Sequence, residues 1–288
     1  MTVGPAAVEA EEAAPKKKML SFTYPFKETE LAIVAGILAA IITIFTGLPA
    51  VIKGIGMLLC LVWGADSVRK TSKYGLGTGV PSIGLIGIGY GIVGALMGLA
   101  VASIGSTALF GGVYPAVLLG VIVMGGIGYV SGYFSNKEKW LAMKIPRLER
   151  AMAELGMAGT LVMLIEISII TGSLDFTEVV RWVMNTGVIA FMFILSAMGM
   201  FHPYNASLGP DERRERTLTV SLEISGLICV ILGFSMLVLG TSPWGIWDPL
   251  SLIVFGLVDW VYFYRRFITA CMKECYATVG TGLIKTID

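Results

Sequence analysis

Four acids lie in or beside long apolar runs of this 288-residue chain: Asp66, Glu166, Glu223 and Asp259. A charge inside a membrane span is costly, so such residues mark ion pathways or pair across helices. Glu166 stands about eleven residues past Leu155, roughly 16 Å along a helix and near mid-membrane. It is the deepest acid in the chain and must be paired, protonated or turned to water. Glu223 lies about 10 Å beyond Arg216 by the same rise. These two lead as ion-path candidates, with contact to a partner protein as the other reading. Asp66 is expected to pair with Arg69 or Lys70, three and four residues on. Asp259 precedes Arg265 by six residues and belongs near an interface.

Other chemistry is sparse. His202 is the only histidine, in "FHPYNASLGP", and one histidine cannot build a metal site alone. Pro203 is expected to place it at a helix end, as a turn residue or as a ligand to a cofactor presented by another protein. Asn205 lies in the same motif. The cysteines Cys60, Cys229, Cys271 and Cys275 form no C-x-x-C pair, which argues against a zinc site or disulfide framework. No Ser/His/Asp, Cys/His or paired-carboxylate arrangement is visible, so no self-contained covalent catalysis is expected.

Two glycine patterns need separating. "GYGIVG" at 89–94 matches the dinucleotide fingerprint letter for letter, but that fingerprint must follow a strand and precede an acid by about 20 residues. Here it lies inside an apolar run, and no Asp or Glu occurs between Asp66 and Glu138. "KYGLGTGVPSIG" at 73–84 is different, with Gly75, Gly77 and Gly79 alternating and Pro81 biasing Val80 away from the helical region. It lacks the P-loop lysine. The expectation is irregular backbone from Lys73 to Pro81, with a helix restarting near Ser82. Tyr74, Thr78 and Ser82 then belong to an ion- or substrate-facing loop, or to a plain cytosolic connector capped by Ser82.

The elements that must hold these residues are helical and membranous. The chain is 56% hydrophobic and 14% charged, with a mean hydropathy of +0.81. A soluble domain carries about 25% charged residues. A net charge of +1 gives no electrostatic case for nucleic acid. The fold class is an all-α integral membrane protein. Apolar runs at 31–50, 51–68, 82–103, 108–134, 155–172, 179–201, 217–240 and 247–264 make six to eight spans, eight by this count. With the N-terminus in the cytoplasm, all of the 21 Lys and Arg except Lys53 and Arg181 fall inside. Both termini are therefore expected to be cytoplasmic.

The expected layout is a cytosolic tail at 1–28, a first membrane half at 29–134, a connector at 135–155, a second half at 156–268 and a cytosolic tail at 269–288. The first tail is acidic then basic, unlike a cleaved signal, and Phe22, Tyr24 and Phe26 would rest at the interface. Each half reads span, span, Gly/Pro loop, span, span, so a repeat would be parallel rather than inverted. In the connector, a helix should start near Pro146 and enter the membrane after Glu154. Gly87, Gly91 and Ala95, and Gly94, Gly98 and Ala102, repeat every four residues, as do Ala116/Gly120 and Gly128/Gly132. Such small faces let helix backbones approach closely in lipid.

Three stretches carry a family resemblance: "WGADSVRKTSKYGLGTGVPSIG" (63–84), "MKIPRLE" (143–149) and "HPYNASLGP" (202–210). They resemble the C subunit of the tetrahydromethanopterin S-methyltransferase complex of methanogenic archaea, over about Leu31 to Ala270, with both tails outside. The resemblance implies a complex that moves a methyl group from methyl-tetrahydromethanopterin to coenzyme M through a corrinoid and couples this to sodium export. It implies a corrinoid on the A subunit, methyl transfer to it involving the H subunit, and subunits C, D and E as the large membrane parts of the sodium path. No family catalytic residue maps onto this chain, so it is expected to be a non-catalytic member of the complex that binds no cofactor alone. Its expected partners are subunits A, D and E, membrane lipids, and coenzyme M near the cytosolic face. The competing expectations are a structural, lipid-binding scaffold for the other membrane subunits and an independent secondary transporter.

Overall fold

The computed structural model describes residues 27–72, 80–105, 113–137, 144–207, 214–242 and 244–279. Every regular element among them is helical: α1 (Glu28–Ile44), α2 (Ala50–Ser72), α3 (Val80–Gly105), α4 (Val113–Lys137), α5 (Leu148–Thr171), α6 (Phe176–Thr186), α7 (Val188–Ser207), α8 (Arg214–Leu239) and α9 (Trp247–Val279). In α2, α4, α5 and α8 an apolar stretch of 22 to 26 residues is long enough to cross a membrane. Two others carry shorter apolar stretches, Gly89–Ile104 in α3 and Ala190–Met200 in α7. At 33 residues, α9 is roughly 50 Å long, more than the hydrocarbon thickness.

Three local expectations change. The helix expected to restart near Ser82 begins at Val80. Pro81 falls in its first turn, where a missing N–H is tolerated, and Ser82 is inside that turn rather than at its cap. The run 179–201 is not one helix. Gly187, at φ +64°, breaks it into α6 and α7, and the Asp175 carboxylate caps α6 by accepting from the Glu178 N–H at 3.0 Å. The third change is at Pro203, which does not end its helix, so His202 sits inside α7, which continues to Ser207. Pro203 has no N–H for the carbonyl of Gly199, four residues back. The Ser221 hydroxyl of α8 donates to that carbonyl instead, at 3.1 Å.

The core forms around α5, which packs against α1, α2, α3, α4, α7 and α8. Glycine sets these contacts. A Cβ on Gly91 would lie 2.7 Å from the Gly159 Cα, and one on Gly132 2.6 Å from the Glu149 Cα. Gly120 meets the Gly94 carbonyl, and the small faces of α3 are shared out: Gly87 and Gly91 face α5, Gly98 faces α4, and Gly94 sits between Thr160 of α5 and Met124 of α4. Gly128 and Gly132 of α4 face α5 in turn. The faces legible in sequence therefore join this chain's own helices. At the other side, Gly226 of α8 lies against α9, where a Cβ would stand 2.6 Å from the Trp260 nitrogen.

Gly91→Ala is expected to cost about 1–3 kcal/mol, because backbone rather than a flexible side chain blocks the added methyl. Gly89 has nothing within 4 Å of such a methyl, so Gly89→Ala should be neutral or stabilise by up to about 1 kcal/mol. Thermal unfolding of the purified protein in detergent checks both signs.

Candidate functional site

At one end of the bundle, local helical spacing and tertiary packing build an ionic hub. Asp66 is buried on α2 and accepts from Arg69 at 3.0 Å and from Arg214 of α8 at 3.2 Å. Arg69 also reaches Glu28 of α1 at 2.6 Å. Lys70 turns elsewhere, to Glu154 of α5 at 3.0 Å. Glu154 is only 4% exposed and takes four donors: Lys70, Arg150 at 2.7 Å, the Trp63 indole at 3.2 Å and the Ser67 hydroxyl. Burying a charge is tolerated when each lone pair is met in this way. Asp66 thus behaves as the expected ion-pair partner. Glu154, read from sequence as the point of membrane entry, is instead a buried hub.

A second polar group closes the opposite end. Asp248, at the start of α9, accepts from the Ala50 N–H at 2.6 Å and from Ser242 at 3.0 Å. It thereby satisfies an orphan donor at the N-terminus of α2. Lys53, in the first turn of α2, is 3% exposed. It donates to the Ser168 carbonyl in the last turn of α5, at 3.1 Å. One of the two basic residues that broke the inside pattern is therefore a buried tie between helix ends.

Between these ends lies Glu166, fully buried on α5. The Ser196 hydroxyl of α7 donates to its Oε2 at 3.1 Å. Among the described residues, its Oε1 has no hydrogen-bond partner. Gly199, one turn from Ser196, accepts from Ser221, and the hydroxyl of buried Ser225 donates back to the Ser221 carbonyl at 2.6 Å. A seam of oxygen atoms thus runs between α5, α7 and α8. Such an arrangement suits a cation that has shed water: one open carboxylate oxygen with hydroxyls and a carbonyl at hand.

The other candidates fall elsewhere. Glu223 is half-buried and lies two residues from both Ser221 and Ser225, about 200° round α8 from the seam. Asp259 is half-buried on α9 and faces Gly226 of α8, the residue one turn from Glu223. Its enclosed Oδ2 has no partner among the described residues. Glu223 and Asp259 therefore share the α8/α9 face. Tyr74 and Thr78 lie outside the described residues, as do the side chains of Ser82, His202 and Asn205. Among the described residues, no three His, Cys, Asp or Glu side chains group to hold a metal. Sequence reasoning missed Ser196 and Ser221, since serine in an apolar run carries no signal of which neighbour it meets.

Comparison with known proteins matches residues 1–287 to the family of the C subunit of tetrahydromethanopterin S-methyltransferase, MtrC. The match includes both tails, beyond the 31–270 span of the sequence resemblance. Among curated proteins, the chain is 38% identical over 291 residues to the C subunit of tetrahydromethanopterin S-methyltransferase from Methanosarcina barkeri, covering 100% of this chain and 99% of that one. The corresponding protein of Methanothermobacter marburgensis is 35% identical over 250 residues, 86% of this chain and 87% of its own. That of Methanopyrus kandleri is 32% identical over 261 residues, 90% and 88%.

Glu154→Ala would leave Lys70, Ser67 and the Trp63 indole enclosed without their acceptor. The expected loss is about 3–5 kcal/mol. Glu28→Ala removes a partly exposed partner and should cost about 1 kcal/mol or less. Unfolding midpoints of the two variants, measured side by side, check the contrast.

Proposed function

The chain belongs to the family of tetrahydromethanopterin S-methyltransferase C subunits, and from that premise we propose that it works in the sodium-translocating membrane assembly of the complex and carries no methyl-transfer chemistry itself. The observation that supports this reading is Glu166: a carboxylate with no exposure, between the two ionic ends and nearer the Lys53 end, with one oxygen unpartnered among the described residues. A sodium ion entering such a place loses hydration and needs oxygen ligands and a compensating charge. Glu166 supplies the charge, and Ser196 holds its other oxygen in place.

In this reading the hub end, with Arg69, Lys70, Arg150 and Arg214, faces the cytoplasm along with both termini, in keeping with the bias of basic residues toward that side. The C-terminal end of α2 and the N-terminal end of α8 then face the corrinoid-bearing A subunit, with coenzyme M used near that face. Subunits D and E and membrane lipid cover the outer helix faces, which carry exposed apolar residues such as Ile122, Val130 and Val258. The corrinoid remains on its own protein. A second reading, a scaffold that only positions subunits D and E, draws on the rigid glycine packing and the hub.

Sodium uptake by vesicles carrying the whole complex separates the two. In Glu166→Gln, uptake per methyl group transferred is expected to fall at least tenfold, while assembly is retained. Unchanged coupling would remove Glu166 from the path and leave the scaffold.

A further inference from the structure

We propose that the main-chain carbonyl of Gly199 is a second oxygen ligand for a monovalent cation on the seam that holds Glu166, made available by Pro203. This rests on the sodium-path reading and assigns it a further atom. A helical carbonyl is ordinarily consumed by the N–H four residues on. At Gly199 that residue is Pro203, which has no N–H to give. The helix nonetheless continues past Pro203 to Ser207. The freed carbonyl is met by the hydroxyl of Ser221 at 3.1 Å.

Repair of the helix by a neighbouring hydroxyl is common where proline interrupts a membrane helix, and repair alone would explain Ser221. It does not explain the position. Gly199 lies three residues, about 4.5 Å of helical rise, from Ser196. Ser196 donates to Glu166, whose other oxygen is unpartnered among the described residues. The interrupted carbonyl thus lies one turn along α7 from the hydroxyl that meets Glu166, with α5 reaching α7 at Ser196 and α8 reaching it at Gly199. Ser221, Ser225 and Ser196 are all fully buried, so water does not provide the oxygen shell from outside. Carbonyls released where a membrane helix is interrupted are a recurrent source of ligands for sodium and protons.

The arrangement makes the carbonyl a contested acceptor. Without an ion, Ser221 holds it. With an ion near Glu166, the carbonyl oxygen turns to the ion and the serine hydroxyl is displaced. No bond is made or broken beyond these contacts. The chemical class is a small monovalent cation that prefers oxygen ligands.

The test uses the whole complex in vesicles and follows sodium-dependent transport across a range of sodium concentrations. Pro203→Ala restores an N–H to Gly199 and should not weaken the helix, since alanine suits a helix interior and proline does not. The proposal expects half-saturating sodium to rise about tenfold, with the maximal rate at saturating sodium retained. An unchanged half-saturation, or a lower maximal rate alone, would overturn it by assigning Pro203 to helix shape only. Where Pro203→Ala does not assemble, Ser221→Ala decides. Removing the competing hydroxyl should lower half-saturating sodium, and no change or a rise would sink the proposal. Glu166→Gln run alongside keeps the two ideas apart. If it abolishes uptake while Pro203→Ala is silent, the path stands and the Gly199 ligand falls; if it too is silent, the path itself falls.

Discussion

Several contacts between helices in this protein are backbone against backbone, and the rest depends on them. Gly91 lies against Gly159, and Gly128 and Gly132 lie against the first turns of α5. In lipid, apolar side chains gain nothing by leaving one apolar surface for another, so helices associate through close packing and polar contacts. Replacing hydrogen by methyl at these positions separates the helices. Because α3 and α4 press α5 inward on one side, its other faces meet α2, α7 and α8. Glu166 is thereby enclosed. A carboxylate at that depth is a consequence of helix packing more than of any local feature around it.

The two polar ends fix how α5 stands along the bundle. At the hub, Glu154 ties α5 to Lys70 of α2, and Asp66 ties α2 to Arg214 of α8. At the far end, Lys53 of α2 ties back to the last turn of α5, and Asp248 of α9 holds the first N–H of α2. Helices α2 and α5 are thus bound to each other at both ends, on opposite sides of Glu166. In each tie at least one charged partner is buried, so removing the other strands it. The middle is different. There the contacts are hydroxyls and a carbonyl, which exchange partners at small cost compared with buried ion pairs. A rigid frame with a labile oxygen seam inside it is what a stepwise passage of ions would use.

Much of the frame was legible in the sequence. Hydropathy showed a helical membrane chain, and the four-residue glycine spacing identified the packing faces on α3 and α4. Asp66 and Arg69 were readable as a pair because helical geometry alone brings them together. The contacts that define the site were not readable. Lys70 with Glu154 spans 84 residues, and Ser196 with Glu166 spans 30; no local pattern announces either. Glu223 ranked beside Glu166 because depth along a helix can be counted, whereas the direction a side chain takes around α8 depends on what α8 packs against. Pro203 looked like a helix end because its effect on the local backbone is strong. A serine on another helix, invisible to that rule, meets the carbonyl it frees.

The central claim is that Glu166 is reached by sodium inside a closed bundle. A hydrophobic carbodiimide enters the membrane and is attacked by protonated carboxyls, whose oxygen adds to its central carbon, and the modified residue can be identified by mass spectrometry of peptides from the labelled complex. The account predicts that Glu166 is labelled and that sodium slows this labelling while potassium at the same concentration does not. Labelling of Glu166 at the same rate with and without sodium would contradict it.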